Sequence, residues 1–244
     1  MASRTRKSAP SSTSPAPARR RRPLRVLLRW SLRGGLAVMA LMLAVVTLFG
    51  FVNPPTNIYQ WQEARRLGGI SRDWVTLDQI APVMARSAVA AEDANFCLHW
   101  GFDMGAIRAA LDAGGGRGAS TISQQVVKNV FLWHGRNWLR KGMEAVLTPV
   151  VETLWSKRRI IEVYLNVAEF DEGVFGVGAA ARHYFKVEAG KLTAQQAARL
   201  AATLPDPKGR NPARPSAFVQ RRAQAIAGGA ETIRVDGRAA CFEG

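Results

Sequence analysis

The sequence is poor in the residue types on which metal-binding and disulfide-rich proteins depend. Its 244 residues include two cysteines and three histidines. No spacing among His99, His134 and His183 is typical of a metal-ligand motif, so we predict no metal held by protein ligands. Internal repeats are also missing, which excludes solenoid and propeller architectures.

Acidic residues are missing from one end of the chain. The sequence has 34 Lys and Arg against 18 Asp and Glu, a formal charge of +16, yet residues 1–33 hold ten of the basic residues and no acidic one. The excess is therefore concentrated in the tail, which argues against a nucleic-acid-binding body. Ser8–Ala18 is rich in Pro, Ser and Ala and precedes four arginines, so residues 1–33 are predicted to form a basic disordered tail.

Charges are absent again from residues 34–52, which read GGLAVMALMLAVVTLFGFV. A helix of this length, at about 1.5 Å per residue, matches the hydrocarbon thickness of a bilayer. Arg25, Arg29 and Arg33 precede the run, and no such cluster follows it directly. This asymmetry predicts a single membrane span with a cytoplasmic N-terminus and the body, residues 53–244, outside. A cleaved signal peptide is the alternative, but the run is long and no A-x-A site follows.

The two cysteines leave two alternatives open. If the body faces an oxidising compartment, Cys97 and Cys241 can form a disulfide. They can equally be two separate buried thiols.

The body is predicted to be mainly helical, because its apolar residues recur at helical spacing and strand patterns are sparse. Pro82 indicates a kink or a helix start, and Pro149 a kink or two helices. The expected helices cover residues 77–92, 103–113, 122–132, 137–165, 173–185 and 193–204, and the clearest strand candidate is Thr232–Val235.

Four stretches carry residues that suit group-transfer chemistry. Glu92 and Asp93 end an apolar helix, where partial desolvation raises a carboxyl pKa and favours base catalysis. A Gly-rich stretch then leads into a helix start, which favours anions; its polar residues are Ser120, Thr121, Gln124, Gln125, Lys128 and Asn129. The third stretch contains Arg136, Arg140 and Glu144, and the fourth spans residues 157–166.

Each stretch also has an ordinary structural interpretation. Acidic residues at helix ends are commonly only solvated, and Thr121 with Gln124 has the spacing of a capping box. Arg140 and Glu144 lie one helical turn apart and can form a simple ion pair. A catalytic role for Glu144 requires it to face the same cleft as Glu92.

The order of the four motifs is more specific than any one of them. E-D-x-x-F-x-x-H-x-G, G-x-S-T-I-x-Q-Q-x-x-K-N, R-K-x-x-E and K-R-x-I-x-E-x-Y-L-N occur in that order. This series resembles the bacterial peptidoglycan glycosyltransferases, whose domain also begins bifunctional penicillin-binding proteins. The resemblance covers about residues 75–225. The S-x-x-K, S-D-N and K-T-G motifs are missing, so we expect no transpeptidase activity.

The resemblance implies a role for each motif residue. Glu92 would take the proton from the 4-hydroxyl of the acceptor sugar, and Glu144 would support catalysis. Lys128 and Arg136 would contact the donor diphosphate. The remaining candidates for substrate binding are Asp93, Ser120, Thr121, Gln124, Gln125, Asn129 and Arg140.

The resemblance also implies the fold, ligands and location. We expect a lysozyme-like, two-lobed helical domain behind one transmembrane helix, in the inner membrane with the catalytic domain periplasmic. The substrate would be lipid II and the growing glycan chain, with membrane lipids and cell-wall synthesis or division proteins as further partners and no nucleic acid. No tightly bound cofactor is expected, although a divalent cation, Mg²⁺ or Mn²⁺, fits the substrate diphosphate.

Two alternatives remain at the level of the sequence. A lysozyme-like hydrolase would use Glu92 as an acid, but an uncharged glycan needs no cationic motifs around it. A membrane scaffold without enzymatic activity would only bind partners of wall synthesis. Loss of activity on Glu92→Gln separates an enzyme from this scaffold.

Overall fold

The computed structural model describes residues 23–114, 118, 120–135 and 137–243. Residues 1–22 of the predicted tail and Arg136 lie outside this range. The described part is mainly helical, which confirms the predicted fold class. Its α-helices are α1 Pro23–Phe51, α2 Ile58–Leu67, α3 Pro82–Glu92, α4 Met104–Asp112, α5 Ile122–Phe131, α6 Trp138–Leu154, α7 Lys157–Val167, α8 Val177–Phe185, α9 Ala194–Thr203, α10 Ala217–Val235 and α11 Ala240–Glu243.

Three short strands form a small sheet in the order β1-β3-β2. They are β1 Ser71–Arg72, β2 Glu169–Asp171 and β3 Val174–Phe175. β1 pairs with β3 in parallel, and β2 with β3 antiparallel. The sheet packs beside α8 and brings Glu169 and Phe175 to the wall of a cavity.

The chain divides into two compact units, Met1–Met42 and Leu43–Gly244. The described part of the first unit is the helical stretch from Pro23 to Met42. Residues 25–51 of α1 are long and apolar enough to span a membrane, consistent with a single-pass anchor. The helix begins at Pro23, a favourable residue for a first helical position. Residues 23–33 are therefore helical, and the prediction that they belong to a disordered tail is wrong.

The last turns of α1 belong to the second unit. Val46 is fully buried, and its carbonyl accepts a hydrogen bond from the indole Nε1 of Trp155 at 2.8 Å. The Arg159 guanidinium binds the carbonyls of Phe49 and Val52. These carbonyls lie at the helix C-terminus, where a cation is favoured.

Within the second unit the helices pack in two groups. One group consists of α3, α9 and α10, and the other of α5, α6 and α7. Their cores are apolar, with Met84 and Leu200 buried in the first group and Ile160 and Leu165 in the second. The two groups meet where α3 ends at Glu92, opposite α5.

Several predicted boundaries are confirmed by local chemistry. Pro82 opens α3 at its first turn. Thr121 and Gln124 form the predicted capping box at the start of α5. The helices expected at 103–113 and 193–204 correspond to α4 and α9.

The stretch 137–165 forms two helices, which is one of the two outcomes predicted, but the break falls at Trp155–Ser156 and not at Pro149, and the Ser156 hydroxyl caps α7. Two other predictions about the secondary structure of the body are wrong. The expected helix 173–185 begins as strand β3, because Gly176, with φ 84°, separates the strand from α8. Thr232–Val235 is the end of α10, since Ile226, Ala230 and Ile233 form one buried helical face.

Cys97 and Cys241 form a disulfide with Cα atoms 5.7 Å apart. This decides the alternative that the sequence left open, in favour of the bridge. The bond joins the segment after α3 to α11, across 144 positions of sequence.

Candidate active site

Glu92, the last residue of α3, lies at the centre of the site. Its side chain is 13 % exposed, and Oε2 accepts a hydrogen bond from Gln125 Nε2 at 3.0 Å. The Arg222 guanidinium is 3.9 Å from Oε1. Burial raises the pKa of Glu92, and the Gln125 hydrogen bond and the charges of Arg222, Lys128 and Arg210 oppose this rise. The result is a carboxylate with increased proton affinity, as a general base needs.

Asp93, beside Glu92, points into the protein. Oδ1 lies 2.7 Å from His99 Nε2, and Oδ2 accepts the backbone N–H of Ile122 at 3.0 Å. Both oxygens are thus occupied by protein partners, and the side chain is 2 % exposed. Asp93 therefore fixes the segment after Glu92 against α5, and its role in substrate binding stays a prediction.

Thr121 and Gln124 are also used by the protein. The Thr121 hydroxyl donates to the Gly101 carbonyl at 2.7 Å, and Gln124 Oε1 accepts the Thr121 backbone N–H at 3.0 Å. Both residues are buried. Their geometry stabilises the helix start, and their contact with substrate stays a prediction.

Polar residues also line two cavities at the site. We call the space beside Ser120 the Glu92 cavity; its volume is about 300 Å³. The second space, the Lys128 cavity, has a volume of about 250 Å³. The polar residues of the Glu92 cavity include Glu92, Asn95, Asp103 and Ser120. Those of the Lys128 cavity include Tyr59, Gln125, Lys128, Asn129, His134 and Glu169.

The amine of Lys128 is influenced by the charges of both predicted carboxylates, Glu92 and Glu144. Burial lowers the pKa of Lys128, while Glu144 and Glu92 raise it. Both acidic side chains therefore influence this amine electrostatically. A partly desolvated ammonium interacts strongly with an anion, because water screens it little.

Glu144 is itself almost fully buried, with a side chain 3 % exposed. It accepts a hydrogen bond from Arg140 Nη1 at 2.7 Å and another from Lys141 Nζ. Lys141 Nζ also donates to the Ser120 hydroxyl at 3.2 Å. Glu144 therefore holds two cations, of which Lys141 reaches Ser120 of the second motif. Arg136 lies outside the described residues.

Sequence patterns did not identify several residues of the site. Tyr59 stacks on His134 with ring centroids 3.8 Å apart, and its hydroxyl donates to Glu169 at 2.7 Å. Arg222 approaches Glu92 from α10. The adjacent pair Arg221 and Arg222 was the one available signal, but which of the two faces the site depends on how α10 packs.

Behind the segment 93–101, a buried ion pair connects α6 to α7. Lys157 Nζ lies 2.8 Å from Glu152 and also donates to the His99 carbonyl at 2.9 Å. The Ser123 hydroxyl donates to the same Glu152 carboxylate. His99 is thus held by protein contacts at its ring and at its carbonyl.

Comparison with known proteins identifies the family of this chain. The sequence model of a family described as Transglycosylase matches residues 60–231. A protein from a Jannaschia species called a biosynthetic peptidoglycan transglycosylase is 62 % identical over 214 residues, covering 88 % of this chain and 90 % of the relative. A protein of the same description from Yersinia pseudotuberculosis is 47 % identical over 220 residues, covering 84 % of this chain and 90 % of its own.

Proposed function

We propose that Glu92 is the general base of glycan-strand polymerisation in this chain, which belongs to the transglycosylase family and is a peptidoglycan glycosyltransferase. The substrate would be lipid II, a disaccharide-peptide linked through a diphosphate to a polyprenyl lipid. Glu92 takes the proton of the acceptor 4-hydroxyl, whose oxygen attacks the anomeric carbon of the donor. The bond from that carbon to the diphosphate breaks, and polyprenyl diphosphate leaves.

The observation that carries this proposal is a buried carboxylate among cations. Glu92 is 13 % exposed, and its pKa is raised by burial. A buried carboxylate of raised pKa binds a proton readily but is still ionised near neutrality when cations are close. Arg222 and Lys128 supply that positive potential.

Lys128 is proposed to stabilise the diphosphate as charge builds on its oxygens. A fixed cation in a partly dry site lowers the energy of such a transition state without reorganising. Arg140 and Lys141 are held near the same place by Glu144. Arg136 is proposed as a second diphosphate contact, on the resemblance of its motif.

The cationic surroundings favour polymerisation over hydrolysis. A hydrolase must protonate a poor leaving group, whereas a diphosphate leaves as a stable anion. Asp93, the carboxylate next in sequence, is bound to His99 and the Ile122 N–H, and only 2 % of its side chain is exposed. One base with a cationic clamp therefore suits the site better than a pair of carboxylates.

We propose that the domain after α1 faces the periplasm from the inner membrane, with the N-terminus in the cytoplasm. Two observations support this orientation. Arg25, Arg29 and Arg33 lie at the start of the apolar helix. Cys97 and Cys241 are bridged, which suits an oxidising compartment. Membrane lipids, the growing glycan chain and cell-wall synthesis or division proteins are the proposed partners.

We also propose that a divalent cation, Mg²⁺ or Mn²⁺, takes part as a component of the bound substrate. A diphosphate binds such ions through its oxygens. The cation would reduce the repulsion between the diphosphate and Glu92, and the protein would need no tightly bound cofactor.

The test is polymerisation of labelled lipid II by the detergent-solubilised full chain, with and without added Mg²⁺. We expect polymer from the wild type and a loss of rate of about 10²–10⁴-fold in Glu92→Gln, the usual contribution of a general base. Glu231→Gln is the matched control, because that carboxylate is exposed and pairs only with Arg234 among the described ion pairs.

Thermal unfolding separates a chemical defect from a folding defect. The raised pKa of Glu92 means that its charge costs stability, and the cost grows as pH rises through the ordinary carboxyl range. Glu92→Gln should therefore melt at or above the wild-type temperature at neutral pH. Unchanged polymerisation by Glu92→Gln contradicts the assignment, and glycan fragments released from purified wall without polymer would support the hydrolase.

A further inference from the structure

The segment that follows Glu92 forms one wall of the site. We call Asp93–Gly101 the catalytic loop. Ala94 and Asn95, at its start, line the Glu92 cavity together with Glu92 itself. Because Glu92 is the last residue of α3, the direction of its side chain depends on the backbone of this loop.

Asp236–Glu243, which we call the C-terminal brace, holds the outer side of the catalytic loop. Cys241 is bonded to Cys97, and Arg238 Nη1 donates to the Ala94 carbonyl at 3.0 Å. Phe96 packs against Phe242 with ring centroids 6.2 Å apart, and both rings are buried. The loop is thus joined to the brace by a covalent bond, a hydrogen bond and an apolar contact.

The brace is in turn attached to both helical groups. Arg158 of α7 donates to the Phe242 carbonyl at 3.0 Å. Arg86 of α3 pairs with Glu243 at 2.6 Å, and its side chain is 13 % exposed. The brace therefore connects the helix that ends in Glu92 with the group that contains α7.

We propose that Cys97, Cys241 and Arg238 are positioning residues for polymerisation, and this inference rests on the proposed role of Glu92. They act through the backbone of the catalytic loop, and no atom of theirs touches the reacting groups. On the inner side Asp93 fixes the loop to α5, and on the outer side the brace prevents the loop from moving away. A base must be held within a fraction of an ångström of its proton, so loosening one wall slows the chemical step.

The first measurement compares the wild type with the double variant Cys97→Ser, Cys241→Ser at a temperature where both are folded. We expect kcat to fall about tenfold, a modest part of the loss that a misplacement of about 1 Å can cause. The KM for lipid II should stay within about twofold, because the cations that bind the diphosphate are attached elsewhere. A purely stabilising bridge would leave kcat unchanged below the melting temperature.

Reduction provides the same change without mutation. Tris(2-carboxyethyl)phosphine takes up the oxygen of one water and is oxidised to the phosphine oxide, while the disulfide gains two electrons and two protons and becomes two thiols. The treated wild type should match the double variant, and the double variant should lose nothing more on treatment. Hydrogen exchange of the amides of residues 94–99 should become faster in both.

Arg238→Ala tests the brace with the disulfide intact, and a smaller fall in kcat is expected. Arg234→Ala is its matched control, because this arginine at the end of α10 is half exposed and pairs with Glu231. Full kcat in the double variant, or unchanged exchange in the loop, overturns the positioning role. A wild type that makes no polymer overturns the proposed function, and this role with it.

Discussion

The carboxylate of Glu92 is subject to opposing influences from its neighbours. Burial raises its pKa, and Gln125, Arg222, Lys128 and Arg210 lower it. The same neighbours are suited to contact a diphosphate or a sugar hydroxyl. Substrate binding at this site therefore changes the proton affinity of the base, because an arriving anion offsets the cations around it.

The acid limb of the pH–rate profile should report this balance. Glu92 must be ionised to accept a proton, so kcat/KM falls as pH drops through its raised pKa. Gln125→Met removes the hydrogen bond that favours the ionised form, and the limb should move to higher pH.

His134→Gln is the control for that experiment. Burial and the charge of Lys128 lower the pKa of His134 to about 4, so this imidazole is neutral across the range of the assay. Its replacement should change the position of the limb little, whatever it does to the rate. An acid limb that shifts in His134→Gln but stays in place in Gln125→Met contradicts the assignment of Glu92.

Helix starts and ends could be predicted where a single side chain determines them. Pro82 and the Thr121–Gln124 pair each act through a local hydrogen-bonding or steric effect, and α3 and α5 begin where the sequence indicates. The failed predictions depend on distant partners. Thr232–Val235 contains β-branched residues, but its helix is favoured by burial of Ile233.

The buried ion pair of Glu152 and Lys157 is a contact between two helices that should contribute to the stability of the fold. Their side chains are 2 % and 15 % exposed, and the pair joins α6 to α7 under the catalytic loop. Lys157→Met leaves a buried carboxylate without its partner, and we expect a loss of about 3–5 kcal/mol in the free energy of unfolding. The double variant with Glu152→Gln should recover much of this loss.

Thermal or denaturant unfolding in detergent measures that loss. Arg182→Met serves as the comparison, since its partners Asp73 and Glu188 are 38 % and 63 % exposed and a surface pair contributes about 1 kcal/mol or less. Equal effects of the two single variants would show that burial of the Glu152–Lys157 pair is energetically unimportant.

The composition of the site as a whole could be predicted only in part. The four motifs contain Glu92, Gln125, Lys128 and Glu144, which the fold brings together. Tyr59, Glu169 and Arg222 come from α2, β2 and α10, whose approach to the site depends on tertiary packing. The protein partners of Asp93 and Thr121 could not be predicted, because spacing does not show which polar atoms already have a partner.

At the scale of the molecule, the end of α1 is part of the folded domain. Val46 is fully buried, and its carbonyl accepts a hydrogen bond from the Trp155 indole. The Arg159 guanidinium donates to the carbonyl of Phe49. A chain starting at Leu43 should melt close to the full-length protein. A chain starting at Asn53 should lose about 2 kcal/mol or more, because Val46 no longer contacts Trp155 and Phe49 no longer packs on Phe131.

Calorimetry or thermal scanning of the two shortened chains in the same detergent measures this difference. The chain starting at Leu43 is the matched control, since it lacks residues 1–42 but keeps every contact of Val46. Equal melting temperatures would show that these last turns are dispensable for the domain.

The disulfide also has a consequence for how a cell makes this protein. With two cysteines in the chain, only one intramolecular pairing exists, so maturation needs an oxidase but no isomerase to correct wrong pairs. The bond encloses α4 to α10, so in the proposed periplasmic location it would close only after all of them had been synthesised and exported. Covalent completion would then mark the molecules whose export is finished.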